Sequence, residues 1–319
     1  MSLSSPPRLL AGIDIGGTNV RCALAPVDHP QEILVRKTGA TPEMTEPERF
    51  VAFIAEEVRG CLRSLGREPE ALAGVGCVAP GITDVGAGVV LYAANLDWAD
   101  APLTALLEQR LDAPSIIEND VNAAAMAEYA FGAGREARSL VYLTVSTGVA
   151  AGIVVEGRLW RGAHHAAGEL GFFIPDPRHL GKDWGRNGCL ELTAGGVGLA
   201  RTWAERHGGN GAPGEAVEVF AQARNGNAEA VDLVHRAADY LAQAVVAVGA
   251  LLDPEVLVLG GSIAQNEAWI AGRIREVVAG TLPFPMKIVH SKLGGDAPLL
   301  GALALAAQNV PAETPRVAS

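Results

Sequence analysis

Short apolar runs broken by glycine open the chain. Residues 9–15, LLAGIDI, form a strand-like run that stops at Gly16-Gly17, and VRCALA at 20–25 and a third run at 32–36 follow it. Runs of this length bounded by small turn residues predict a hairpin-rich start. Over 47–65 the period changes. Phe50, Ile54, Val58, Cys61, Leu62 and Leu65 fall three and four apart, which predicts a helix with one buried face. A strand is predicted at 73–79, ending at Pro80-Gly81. Leu103, Leu106, Leu107 and Leu111 predict a helix, residues 115–118 a strand, and 121–130 an Ala-rich helix.

From residue 139 the pattern starts again. SLVYLTV at 139–145 is strand-like and ends in Ser146-Thr147-Gly148, and 151–155 with 158–160 reads as a hairpin. Residues 161–189, rich in His, Gly, Pro and Asp, read as loop. Helices are predicted at 191–206, 215–224 and 228–250, the last with Ala242, Val245, Val246 and Val248 on a close-packed face. A strand at 255–259 closes with Gly260-Gly261, and a small-residue helix spans 298–307. Two similar starts, near 10 and near 140, point to an α/β protein with two related lobes.

Composition narrows the class. The 319 residues are 49% apolar and 19% charged, which is a folding composition. Aromatics reach only 5%, so Ala, Val, Leu and Ile must fill the core. The 38 glycines show no three-residue period, which excludes collagen and leaves turns, close packing and ligand contact. The net charge of −11 argues against nucleic acid as a partner. No run is long and apolar enough for a membrane partner, and the N-terminus does not read as a secretory signal. Cys22, Cys61, Cys77 and Cys189 are scattered without a CxxC pair, as expected for a reduced cytoplasmic protein.

Five segments carry candidate chemistry. In Asp14-Ile15-Gly16-Gly17-Thr18-Asn19, an acid at a strand end suits hydrated Mg²⁺, and the glycines let backbone N–H groups approach phosphate. The same residues also suit a plain hairpin turn. Ser146-Thr147-Gly148 is the matching turn of the second half, again either phosphate-binding or structural. Asp120, at a strand-to-helix junction, reads as a general base for a sugar hydroxyl or as a helix cap, and Asn119 as an orienting group. Glu169 and Glu191 read as acceptors for sugar hydroxyls or as surface carboxylates. Gly260-Gly261 suits contact with a nucleoside or packing within the chain. The spacing of His164, His165, His179 and Cys189 is irregular for zinc. Neither GxxxxGK[ST] nor a GxGxxG entering a helix is present.

Taken together these segments resemble the ROK family of sugar kinases and repressors. The resemblance runs through DIGGTN at 14–19, APGITD at 79–84, AANLDW at 93–98, ENDVNAAA at 118–125 and AGELG at 167–171. GCLE at 188–191, VLGGSI at 258–263 and DAPLLGALALA at 296–306 complete it. It implies a duplicated, actin-like (ribonuclease-H-like) fold with two lobes around a cleft. Residues 1–120 and the last helix, about 297–309, would form one lobe, and 121–296 the other, with dimer contacts in the second. It further implies ATP and Mg²⁺, with Asp14 near the metal. Gly16, Gly17, Thr18, Thr147 and Gly148 would line phosphates, and Gly260 and Gly261 would lie near the nucleoside. Asn95, Asn119, Asp120, Glu169 and Glu191 would hold the sugar, with Asp120 as base.

Two departures from the family pattern matter. Family members commonly carry a histidine where this chain has Phe172, followed by a cysteine cluster that binds structural zinc with it. Here only Cys189 of that cluster remains, so no zinc is expected, and packing by Phe172, Phe173 and Trp184 is expected to hold the 173–188 loop. The second phosphate turn, usually GTGxG, reads Ser146-Thr147-Gly148-Val149-Ala150. The expected activity is ATP-dependent phosphorylation of a hexose 6-hydroxyl, with glucose favoured over N-acyl-hexosamines, mannose or fructose. A homodimer or a tetramer is expected. Repressors of the family carry an N-terminal DNA-binding segment, for which a first core strand at residue 9 leaves no room, so an enzyme is expected rather than a sensor.

Overall fold

The computed structural model describes residues 7–93, 96–183, 185, 188–208 and 216–311. The chain folds as two units. One comprises the described residues through Ala127 together with those from Asp296 onward, and the other runs from Glu128 to Gly295.

The first unit is built on β1 (Leu9–Ile15), β2 (Asn19–Pro26), β3 (Val35–Ala40), β4 (Leu72–Ala79) and β8 (Ser115–Asn119), in the order β3-β2-β1-β4-β8. β1 is antiparallel to β2 and parallel to β4, and β4 is parallel to β8. Every residue of β1 and β4 is buried, because helices cover both faces. Leu9, Ala11, Ile13 and Ile15 alternate onto the face packed by α1 (Pro47–Ser64) and α2 (Leu103–Leu111), where Phe50 meets Trp98 edge-on at 5.1 Å. The other face takes α10 (Ala297–Asn309). Its close approach needs bare backbone: a Cβ on Gly76 would lie 1.9 Å from the Ala302 carbonyl oxygen. That contact explains why α10 is rich in small residues. A smaller sheet, β5 (Ile82–Asp84), β6 (Val89–Ala93) and β7 (Trp98–Ala101), completes this unit with α3 (Asp120–Ala130), which runs on into the second.

The second unit repeats the plan. β9 (Ser139–Val145), β10 (Val149–Val155), β11 (Arg158–Leu159), β12 (Val256–Gly260) and β13 (Lys287–His290) are ordered β11-β10-β9-β12-β13. Again the first strand is central, antiparallel to the second and parallel to the fourth. The core lies among α4 (Leu190–Ala194), α5 (Gly196–His207), α6 (Ala216–Arg224), α7 (Ala228–Leu252), α8 (Ser262–Asn266) and α9 (Ala268–Thr281). The side chain of Asn227 starts α7 by accepting the N–H groups of Glu229 and Ala230, and Asp253 ends it in a left-handed conformation.

Three expectations differ from the structure. The single helix over 191–206 is two, because Gly195 is extended between them. The third strand begins at Val35, after turn-like backbone, rather than at 32. Finally, β5 to β7, α8, α9 and β13 have no counterpart among the predicted elements. They are short, or too mixed in polarity to give a clean period. Among the described residues no helix is long and apolar enough to cross a membrane.

Candidate active site

In the first unit the β1–β2 hairpin presents Gly16, Gly17 and Thr18. The Gly16 N–H donates to the Asn19 carbonyl at 3.0 Å, and a Cβ on Gly16 would sit 2.9 Å from that oxygen. Thr41 pins the turn from outside: its hydroxyl donates to the Gly16 carbonyl at 2.6 Å and its N–H to the Thr18 carbonyl at 2.9 Å. Gly17 and Thr18 face solvent, so their donors are accessible to a ligand.

Asp14, buried at the end of β1, faces the α10 side of the sheet. Arg21 lies directly opposite in the ladder and donates from Nε (2.7 Å) and Nη2 to Asp14 Oδ2. Its Nη1 lies 3.4 Å from Asp296 at the start of α10, which Arg36 grips through both terminal nitrogens at 2.9 Å. Burial pushes the Asp14 carboxyl above its ordinary range, and the Arg21 charge opposes that shift. Sequence reasoning missed Arg21. The signal was available, since a hairpin centred between Gly17 and Thr18 pairs position 14 with position 21.

At the start of α3, capping and candidate catalysis fall on different residues. Asn119 Oδ1 accepts the N–H groups of Val121 (2.9 Å) and Asn122 (3.2 Å), while its Nδ2 donates to the Gly81 carbonyl at 2.9 Å. Asn119 is therefore the cap. The neighbouring Asp120 is half-buried, and its Oδ1 accepts the Val121 N–H at 3.0 Å. Buried Glu118 holds the junction from behind, accepting from the Asn119 N–H and from Asn122 Nδ2. Asn95 lies outside the described residues.

In the second unit the break at Gly195 anchors the other turn. The Gly196 N–H donates to the Ser146 carbonyl at 2.8 Å and that of Val197 to the Thr147 carbonyl at 3.0 Å. Glu191, on the short α4, accepts the Val149 N–H at 3.2 Å, and its Oε2 would lie 2.2 Å from a Cβ on Gly148. Thr147, Gly148 and Glu191 thus form one cluster. Glu169 joins it electrostatically, because burial and the charge of Glu191 both push its carboxyl upward. Two adjacent carboxylates of this kind suit a ligand rich in hydroxyl donors.

A pocket of about 310 Å³ adjoins this turn, with Ser146, Thr147, Gly196, Phe220, Ser262 and Ile263 in its wall. Its mix of apolar surface and hydroxyls suits a nucleoside. Gly260 and Gly261 have reasons of their own within the chain. A Cβ on Gly260 would meet the Tyr142 hydroxyl at 2.1 Å, and Gly261, at φ 80°, would meet the Val145 carbonyl at 2.4 Å. They turn the chain so that Ser262 and Ile263 reach the pocket wall. Phe220 and Ile263 were not singled out from sequence, since an apolar residue in a helix gives no sign of lining a pocket.

Of the residues expected to hold the 173–188 loop, Phe172 is 50% exposed. Phe173 does pack against the core, and its carbonyl accepts the Leu190 N–H at 2.7 Å. Within the loop, Asp176 binds the Arg178 side chain and N–H, which holds its carboxyl well below the usual range. Gly188, at φ 64°, packs on the His179 ring, where a Cβ would come within 2.2 Å. Trp184 lies outside the described residues. Among the described residues no three His, Cys, Asp or Glu side chains converge as a metal site.

The chain matches the ROK family over residues 10–309. It is 32% identical over 322 residues to a glucokinase of Streptomyces coelicolor, covering 95% of this chain and 99% of that one. It is 34% identical over 296 residues to an N-acetylmannosamine kinase of Escherichia coli, covering 92% and 97% respectively. Among solved structures, it superposes with a TM-score of 0.74 and 32% identity on a ROK family glucokinase from Streptomyces griseus in complex with glucose and AMPPNP, covering 94% and 99%.

Proposed function

From the premise that this chain belongs to the ROK family and has its actin-like ATPase fold, we propose that it is an ATP-dependent hexose kinase acting on the 6-hydroxyl, with glucose as substrate. Asp120 accepts the hydroxyl proton as that oxygen attacks the terminal phosphorus of ATP, whose bond to the bridging oxygen breaks to release ADP. Asn95, Asn119, Glu169 and Glu191 orient the sugar through its other hydroxyls. Gly16, Gly17, Thr18, Thr147 and Gly148 donate to phosphate oxygens. The nucleoside lies against the wall that follows Gly260 and Gly261.

The observation that carries this reading is the division of labour at α3. Asn119 performs the capping, so the cap itself does not require an aspartate at 120. The Val121 N–H holds one Asp120 oxygen and limits the rotamer. Asp14 suits Mg²⁺, because it is an acid at the end of a buried strand whose charged form the Arg21 guanidinium favours through Oδ2. The ion, when bound, neutralises charge on the transferring phosphoryl group.

A second reading, phosphorylation of an N-acyl-hexosamine, is favoured by the 34% identity to an N-acetylmannosamine kinase. By the family resemblance, Phe172 also stands where a histidine that usually contacts the sugar would be, so that contact is lost. The proposal includes a cytoplasmic homodimer. Four cysteines, all buried free thiols, fit a reducing compartment, and exposed Leu251, Leu252 and Trp269 offer apolar surface on the second unit.

The test is a coupled ADP-release assay over glucose, mannose, fructose, N-acetylglucosamine and N-acetylmannosamine, with Asp120→Ala as control. The highest kcat/KM is expected with glucose, and loss of at least a hundredfold in kcat with Asp120→Ala. Absence of sugar-dependent ADP release would overturn the kinase reading, and highest kcat/KM with an N-acyl-hexosamine would select the second reading.

A further inference from the structure

A pocket of about 540 Å³ lies in the second unit, well away from the turns just described. Its wall includes Arg135 and Ala137 ahead of β9, Glu255 and Val256 at the start of β12, and Lys287 at the start of β13. These three strands are parallel, and Val256 pairs with both Leu140 and Lys287. Ser146 to Gly148 and Gly260-Gly261 follow the opposite ends of β9 and β12. A seven-residue strand separates its ends by about 20 Å. The pocket is therefore no extension of the candidate nucleotide site.

Its charge is unusual for this protein. The chain carries −11 overall and has only four lysines, yet Lys287 and Lys292 both line this pocket together with Arg135. All three are exposed, and none has an ion-pair partner among the described residues, whereas Arg36, Lys37, Arg59, Arg206 and Arg273 do. Two carboxylates share the wall. Glu255 is already held by Arg138, through Nε at 3.0 Å and the backbone N–H at 2.9 Å, which lowers its carboxyl below the ordinary range. Only Glu136 remains to offset three cations. Like charges gathered around a concavity repel one another and focus a positive potential within it. An anion of charge −2 resolves that imbalance.

The pocket also abuts a buried clamp. Glu128, fully buried, accepts the Ala133 N–H at 2.7 Å, the Leu293 N–H at 2.9 Å and the Ser291 hydroxyl. Gly132 must be glycine, because a Cβ would lie 2.0 Å from Glu128 Oε2. The clamp joins the segments where the chain enters this unit, at Glu128, and leaves it, at Gly295. Gly132, Ala133 and Lys292 belong to both clamp and pocket wall.

We propose that this pocket is a second ligand site, for a phosphorylated sugar. The phosphate dianion lies among Arg135, Lys287 and Lys292, and its binding tightens the Glu128 clamp. The volume exceeds what a bare phosphate fills and accommodates a hexose body. The anion site does not rest on the kinase reading, because its test reads binding rather than turnover; the choice of a phosphorylated sugar as the anion does rest on it.

The experiment is isothermal titration of the full chain with glucose 6-phosphate, glucose and inorganic phosphate. It is run on the wild type, on Asp120→Ala and on the Lys287→Ala/Lys292→Ala double variant. Thermal melts check that each variant is folded. A saturable glucose 6-phosphate site is expected that survives in Asp120→Ala and weakens at least tenfold in the double variant and with added salt, while glucose binding is unchanged by the double variant. Hydrogen exchange should show slower exchange over 131–137 and 291–295 when glucose 6-phosphate is bound. Glucose 6-phosphate binding equally strong in the wild type and the double variant would overturn the proposal, as would glucose 6-phosphate binding no tighter than inorganic phosphate. A double variant that melts early is replaced by Lys287→Gln, with a threefold or greater loss of affinity expected and no loss overturning the site.

Discussion

Arg21 and Asp14 face each other across the β1–β2 ladder, and Arg21 holds Asp14 through two nitrogens on one carboxylate oxygen. The pairing decides the state of the acid assigned to the metal. Burial alone drives the Asp14 carboxyl toward its neutral form, and the guanidinium draws it back. Replacing Arg21 by Leu removes that attraction, so the Asp14 carboxyl moves further up. The expected result is an acid limb of kcat/KM for ATP displaced to higher pH, with a higher Mg²⁺ requirement. A pH–rate series at several Mg²⁺ concentrations measures both, and an unmoved acid limb contradicts the assignment.

Glu169 and Glu191 form the second coupled acid. The Glu169 carboxyl is raised first by burial and next by the charge of Glu191. A group raised in the folded state keeps its proton while its unfolded counterpart loses it. Stability therefore falls as pH rises from the ordinary glutamate range to the raised value, and is constant above. In Glu191→Gln one raising cause is gone. That window narrows, and the acid limb of kcat/KM for the sugar moves to lower pH. Glu169→Gln should raise the sugar KM at least tenfold with little change in Tm, as steady-state kinetics and calorimetry can verify.

The cap at Asn119 makes a prediction about stability. Its Oδ1 satisfies two N–H groups at the start of α3, and its Nδ2 satisfies the Gly81 carbonyl. Asn119→Ala should cost about 1–2 kcal/mol in denaturant unfolding. Asp120→Ala should cost less than Asn119→Ala while abolishing turnover.

Glycines divide into those that the packing requires and those it does not. Gly76→Ala drives a methyl into the Ala302 carbonyl of α10 and should destabilise by at least about 2 kcal/mol. Gly272 and Gly280 lie in α9, where a Cβ at either position would have no neighbour within 4 Å, so Gly280→Ala should stabilise by about 0.5–1 kcal/mol. Chemical denaturation of the two single variants compares them directly.

Local pattern was enough for the duplicated α/β plan, most element positions and the two glycine turns. Apolar periodicity depends only on which neighbours along the chain share a face, and that is a local property. The candidate residues at 14–18, 119–120 and 147–148 were legible for a similar reason: acids, amides, hydroxyls and glycines at strand ends are conspicuous in a chain otherwise rich in Ala, Val and Leu. Packing decided the rest. Whether Asn119 or Asp120 caps α3 depends on side-chain direction. Whether Gly260 serves a ligand or Tyr142 depends on what lies within 3 Å of its backbone. Phe172 and Phe173 look alike in sequence, but only Phe173 meets a core assembled from α4 and the distant α7. The cationic pocket joins residues 135, 255, 287 and 292, brought together by parallel strand pairing. Such pairing has no local signature, because its partners are set by the crossovers between strands and not by the strands themselves.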